Sequence, residues 1–93
     1  VVKSSSNLAS FAKLALAQHL ANVALDQAQA YLAIGQHEQA RERARQALRD
    51  EVKLPPQVAA IAWGTLANAY ARSGELDAAL VNYDKSYALA SKH

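Results

Sequence analysis

The chain contains no cysteine. That excludes a disulfide framework and a thiolate metal site, and it is compatible with any compartment. Three glycines and two prolines in 93 residues leave few positions for turns. Aromatic residues are scarce at 6%, with a single tryptophan, and the net charge is only +2 with histidine neutral. So small an excess of positive charge does not argue for a nucleic-acid partner. No apolar run reads as long enough to cross a membrane, and no signal peptide is visible. There is no glycine-rich phosphate loop. His19, His37 and His93 are far apart, and no cluster of histidine and carboxylate has metal-ligand spacing. No nucleophile–base pair can be assembled either. The expectation is a protein that is not an enzyme, with no cofactor, no metal, and neither nucleic acid nor membrane among its partners.

Alanine is abundant. Hydrophobic residues make up 52% of the chain, and nearly half of that share is alanine, the residue with the best helix propensity. With so few turn formers the balance is all-α. The length fits one small domain. A chain of this size buries only a little more than roughly 60% of its unfolded surface, so its core is thin. The first residue is Val1, which points to a fragment or a processed chain, and the cytoplasm is the expected compartment.

Residues 1–7 read as a flexible start, because Ser4, Ser5, Ser6 and Asn7 compete with the backbone for hydrogen bonds. Residues 8–93 form the domain. From Leu8 to Ile34 there is neither glycine nor proline, and apolar residues recur at helical spacing at Leu8, Phe11, Ala15, Leu20, Val23, Ala24, Ala28, Tyr31 and Leu32. One long helix or two shorter ones satisfy that pattern. Gly35 is placed to end it in a left-handed conformation. A second helix is expected over Glu38–Asp50 with Ala40, Ala44, Ala47 and Leu48 inward, halted by Leu54-Pro55-Pro56. Proline suits the first turn of a third helix, Pro56–Arg72, with Val58, Ile61, Ala62, Leu66, Ala69 and Tyr70 inward. Gly74 ends that one. A fourth helix is expected over Leu76–Ser91, with Ala79, Leu80, Tyr83, Tyr87 and Leu89 packing.

The chain repeats itself. Gly35 and Gly74 lie 39 positions apart, and at the same offset Ala28 recurs as Ala67, Tyr31 as Tyr70, Ala40 as Ala79, and Ala47 as the equally small Ser86. A fixed period of this length marks a helical repeat array, which builds surfaces for partners. The second copy reads Trp63-x-x-Leu66-Ala67-x-x-Tyr70-x-x-x-Gly74, followed by Ala79, Tyr83 and Ser86. This pattern resembles the tetratricopeptide repeat. The resemblance covers residues 60–93 well and residues 21–54 partially, since Ala24 stands in the place of Trp63 and Gln27 in the place of Leu66. The family's proline near the end of a unit is absent from the second copy, where Ser91 sits. The usual unit is about 34 residues, and here the extra length falls around Asp50–Pro56. Small residues at Ala28, Ala40, Ala67 and Ala79 let paired helices approach, while Tyr31, Trp63, Leu66, Tyr70 and Tyr83 fill the gaps. Trp63 therefore reads as a packing residue.

The resemblance implies stacked antiparallel helix pairs, a short α-solenoid of about four helices with a long first helix. Its units are residues 21–54 and 60–93, preceded by an extra helical stretch at residues 8–20. It also implies a groove for a protein or peptide, lined by the first helix of each unit. Projected onto this chain, the family's groove positions are Asn22, Leu25, Asp26, Gln29 and Leu32, then Ile61, Gly64, Thr65, Asn68 and Arg72. Asn68 and Arg72 lie one turn apart on one helix face. Asparagine can hydrogen-bond a peptide backbone, and arginine can bind a carboxylate through its fork. The plain alternative is that both are solvated. Chaperone adaptors of the family clamp a C-terminal carboxylate with lysines, but Leu25 and Ile61 hold those positions here, so that activity is not expected.

Arg41, Arg45 and Arg49 form a stripe on the second helix. It reads either as a contact for phosphate or an acidic partner, or as a solvated face with Glu38 and Glu42 as intrahelical partners. The second reading is preferred, because no aromatic residue interleaves with the arginines. Two units are few for a stable array, and Leu80, Tyr83 and Tyr87 leave an apolar end. The first expectation is a non-catalytic protein–protein or peptide-binding module cut from a larger regulatory or scaffold protein. The alternative is self-association, a homodimer through the long first helix or the exposed ends of the array.

Overall fold

The computed structural model describes residues 2–92, with side-chain surroundings for residues 7–51 and 53–92. Four α-helices follow one another: α1 (Val2–Ala33), α2 (His37–Ala47), α3 (Pro56–Arg72) and α4 (Leu76–Ser91), with a 3-10 turn at Glu51–Lys53 between α2 and α3. There is no strand among the described residues.

The long apolar-patterned stretch is one helix. The flexible start expected at residues 1–7 is helical from Val2 onward; Val1 lies outside the described residues. Adding a residue to an existing helix avoids the cost of nucleation, so three serines are not enough to end it. Within α1, Asn7–Ala33 is long enough to cross a membrane and contains an 18-residue stretch of mean hydropathy 1.2, a match by length and composition only. This corrects the reading that no apolar run is that long. Only Lys13 and Asp26 carry full charge in this stretch, and leucine and alanine outweigh the scattered amides.

The two helical turns have one geometry. Gly35 and Gly74 adopt φ of +82° and +83°. In the first turn Gly35 N–H donates to Leu32 O at 3.1 Å and Gln36 N–H to Tyr31 O at 2.9 Å. In the second, Gly74 N–H donates to Ala71 O at 3.1 Å and Glu75 N–H to Tyr70 O at 2.9 Å. Both are Schellman closures, which satisfy the last helical carbonyls and need a left-handed residue at this position. α2 ends three residues before the expected Asp50, because Leu48–Asp50 already form a turn. α3 opens with Pro56 at its first position, as its fixed φ favours.

Each helix packs on the next, and α1 also touches α3. The core is made of alanines at helix crossings: Ala28, Ala40, Ala44, Ala62, Ala67 and Ala69 are fully or almost fully inaccessible. Leucine fills the remainder, in a cluster of Leu25 and Leu54 with Ala21, Ala24, Ala47, Ala59 and Ala62, and a second of Leu66 with Ala28 and Ala44. Gly64 faces Ser86, whose Oγ lies 3.3 Å from where a Cβ would be and donates to Ala60 O at 2.7 Å. The small residues thus set the spacing of α3 and α4. The radius of gyration is 15.0 Å and the extents are 55 × 28 × 14 Å, against about 12 Å for a compact domain of this length. The elongation comes from α1, whose residues 7–16 are all exposed, Leu8, Phe11 and Leu16 among them. Leu80 and Tyr87, expected to pack on α3, are exposed as well. They lie on the side of α4 turned away from α3, where no described residue covers them.

Candidate functional site

Helical spacing separates the projected groove residues into two groups. Asn22, Asp26 and Gln29 fall on one stripe of α1 and are exposed. The equivalent stripe of α3 carries Ile61, Thr65, Asn68 and Arg72, of which only Thr65 is buried. Asn22, Asp26 and Gln29 are related to Ile61, Thr65 and Asn68 by the same offset as the glycine turns, so the two helices present matching faces, and Arg72 extends the second where Ala33 stands in the first.

Leu25 and Leu32 do not belong to that face. At 6% and 7% exposed they sit in the apolar clusters against α2 and α3, about a quarter turn around α1 from the stripe. Thr65 is on the stripe but only 5% exposed, and its hydroxyl donates to Ile61 O at 2.8 Å. The expectation that Leu25, Leu32 and Thr65 line a partner groove is corrected: burial gives all three to the core. Gly64 is likewise taken up by Ser86.

Two of the exposed groups already hold structural partners. The Tyr83 hydroxyl donates to Asn68 Oδ1, which leaves the Asn68 amide N–H groups free. Arg72 Nη1 donates to Leu32 O at 3.1 Å. The guanidinium thus closes the C-terminal end of α1 from the neighbouring pair, where a positive charge is favoured by the helix dipole. Asn22, Asp26 and Gln29 make no such tie among the described side-chain bonds, and they form the available polar part of the face.

The arginine stripe was expected to lean on Glu38 and Glu42. Its partners instead come from across the α2–α3 junction. Arg41 Nη1 donates to Ser73 Oγ at 3.0 Å and to Glu75 Oε2 at 3.2 Å, and the guanidinium sits 5.3 Å from the centre of the Tyr70 ring. Arg45 donates to the Tyr70 hydroxyl and lies 5.6 Å from the same ring. Planar guanidinium groups stack well on aromatic faces, and this junction uses two of them. The cleft here has a volume of about 410 Å³ and mixes Arg41 and Arg45 with Glu38, Glu42 and Glu75. Those carboxylates leave it without the surplus of positive charge that a phosphate contact needs. The signal for this cluster was present in the sequence as an aromatic at the Tyr70 position, but on a different helix from the arginines.

Trp63 is half-buried beside Leu66 and Tyr70. Its Nε1–H donates to Glu51 Oε1 at 2.9 Å, and Lys85 Nζ sits 4.3 Å from its ring centre. In the first pair Ala24 stands at this position, and the space beside it is an open groove of about 400 Å³ between α1 and α2, lined by Leu20, Val23, Ala24, Gln27 and Gln46. Among the described residues no group of three histidine or carboxylate side chains is gathered closely enough to hold a metal ion. Comparison with family models, with curated proteins and with solved structures gave no match.

Proposed function

We propose that this chain is a non-catalytic helical-repeat module of the tetratricopeptide kind, a short solenoid that takes a protein or peptide along the shared face of α1 and α3. Matched Schellman turns, alanine crossings within each pair and contact between α1 and α3 support the architecture. The observation that carries the binding reading is the exposed polar stripe Asn22, Asp26 and Gln29 on α1, in register with Ile61, Thr65 and Asn68 on α3, where Arg72 follows one turn on. Primary amides both donate and accept, which is what an extended peptide backbone requires of its host. Asp26 favours a basic residue in the ligand, and Ile61 offers an apolar contact beside it.

The test is a peptide-library selection on the purified chain, followed by calorimetry on the selected peptide. Replacing Asn22→Ala together with Gln29→Ala is expected to weaken binding about tenfold or more, since each lost hydrogen bond contributes about 1 kcal/mol. Helicity and Tm should hold, because both side chains are exposed. Unchanged affinity in that double variant, or a library that yields no ligand, sets the reading aside.

A further inference from the structure

The two outer faces of the molecule are equivalent, through the repeat, to the two sides of its one internal unit-to-unit junction. α3 docks on α1 and α2 by setting Trp63, Leu66 and Tyr70 against Ala44 and Leu48. At the offset of 39 positions, Ala44 and Leu48 become Tyr83 and Tyr87 on α4, while Trp63, Leu66 and Tyr70 become Ala24, Gln27 and Tyr31 on α1. On α4 Tyr87 is 75% exposed and Tyr83 38%; on α1 Gln27 is exposed and Tyr31 half-buried, while Ala24, itself buried, forms part of the wall of the open groove.

We infer that copies of this chain stack end to end, the outer face of α4 in one copy receiving the outer face of α1 in the next, in the register with which α3 sits on α2. The reason is that the substitutions at the two ends compensate one another. Inside the chain Ala44 and Leu48 receive the larger set Trp63, Leu66 and Tyr70. At the ends the receiving side is larger, with Tyr83 and Tyr87, and the docking side is smaller at one position, where Ala24 replaces Trp63 beside a groove of about 400 Å³, while Tyr31 matches Tyr70. Close packing demands that reciprocity of large and small.

The polar contacts change in the same paired way. The internal junction joins Arg41 to Ser73. The equivalent positions are Leu80 and Ile34, 61% and 67% exposed, which exchange a polar pair for an apolar one. Arg45 donates to the Tyr70 hydroxyl inside the chain. Asp84 and Tyr31 stand in those places at the ends, so the carboxylate accepts from the tyrosine hydroxyl where the arginine donated to it. α4 also runs on helically through Tyr87–Ser91, where the chain after Ala47 turns away, and so stays alongside the docking stripe as far as Leu20 and Val23. The contact is heterologous and does not close on itself, so it grows into open chains of copies.

The experiment uses light scattering across a concentration range on the full chain, with Ile34→Glu on the docking face and Tyr87→Glu on the receiving face. Both side chains are exposed, and circular dichroism should show unchanged helicity. The wild-type mass is expected to climb past the dimer with concentration, and each variant alone should stay monomeric. An equimolar mixture of the two should form a heterodimer that grows no further, because one variant keeps a sound receiving face and the other a sound docking face. A second route is Ile34→Glu combined with Leu80→Arg in one chain, which rebuilds a charged pair across the junction and should restore growth. Three results overturn the inference. One is a wild type that is monomeric throughout, its ends then being covered by something other than a second copy. Another is a closed dimer that survives both variants, which points to pairing through the overhang of α1. The third is a mixture that stays monomeric.

Discussion

The two helix pairs share their turns and differ in their large residues. Each turn closes on a tyrosine carbonyl with a left-handed glycine, and each crossing is set by alanine: Ala28 and Ala40 in the first pair, Ala67 and Ala79 in the second. But Trp63 and Leu66 fill the second pair's junction side, where the first pair has Ala24 and Gln27. The difference teaches which positions the repeat needs and which its surroundings choose. A left-handed turn and a close crossing tolerate almost no alternative. The outer positions follow what lies against them: α3 lies against α1 and α2, while Leu20, Val23 and Gln27 on the outer side of α1 are exposed.

Leu66→Ala is expected to have the largest effect, about 2–4 kcal/mol of lost stability, as for a buried leucine in a core that cannot collapse. Gln27→Ala, at the equivalent position of the first pair, should cost under about 0.5 kcal/mol. Urea unfolding of the two variants measures the contrast directly, and equal losses would break it. Trp63→Ala makes the second pair resemble the first. It gives up the hydrogen bond to Glu51, the stacked Lys85 and part of the apolar filling, for about 2 kcal/mol in the same assay. Gly35→Ala and Gly74→Ala sharpen the shared side of the comparison. No neighbour lies within 4 Å of a Cβ at either glycine, so only the left-handed backbone resists, at about 1–2 kcal/mol each. Their Tm values should fall by the same amount, and a clear inequality would show that the turns differ in something their geometry does not reveal. Apart from the Gln27→Ala control, the smallest effect belongs to Arg41→Ala. Its ion pair with Glu75 is partly exposed, so the loss should be under about 1 kcal/mol, with the gap from wild type narrowing as salt rises.

Much of this was legible in the chain. Gly35 and Gly74 marked both turns, Pro56 marked the start of α3, and the alanines at Ala40, Ala44, Ala47, Ala62 and Ala69 were read as inward and are buried. The groove was legible only in part. Leu25 and Leu32 entered it by projection from a family pattern, yet they lie about a quarter turn away around α1, where an apolar side chain gains more from burial than from any exposed stripe. Thr65 kept the right face and still vanished from the surface, because α3 is covered there and the hydroxyl finds its partner in its own helix. The partners of Arg41 and Arg45 were missed because the intrahelical acids are close in sequence, whereas Tyr70, Ser73 and Glu75 come near only once α3 has docked.

The sequence by itself determined the local events: where helices stop, which residues turn left-handed, and which small side chains mark the crossings. These depend on backbone conformation and residue size, which each short segment carries with it. The tertiary structure alone decided which members of an apolar stripe are covered, which charge meets which ring, and that Leu80 and Tyr87 on α4 stand exposed. Those outcomes depend on how far helices distant in the chain overlap in space. α1 outruns α2 and α3 at its start, so the same leucine that would be core in the second half of that helix stands in solvent in the first.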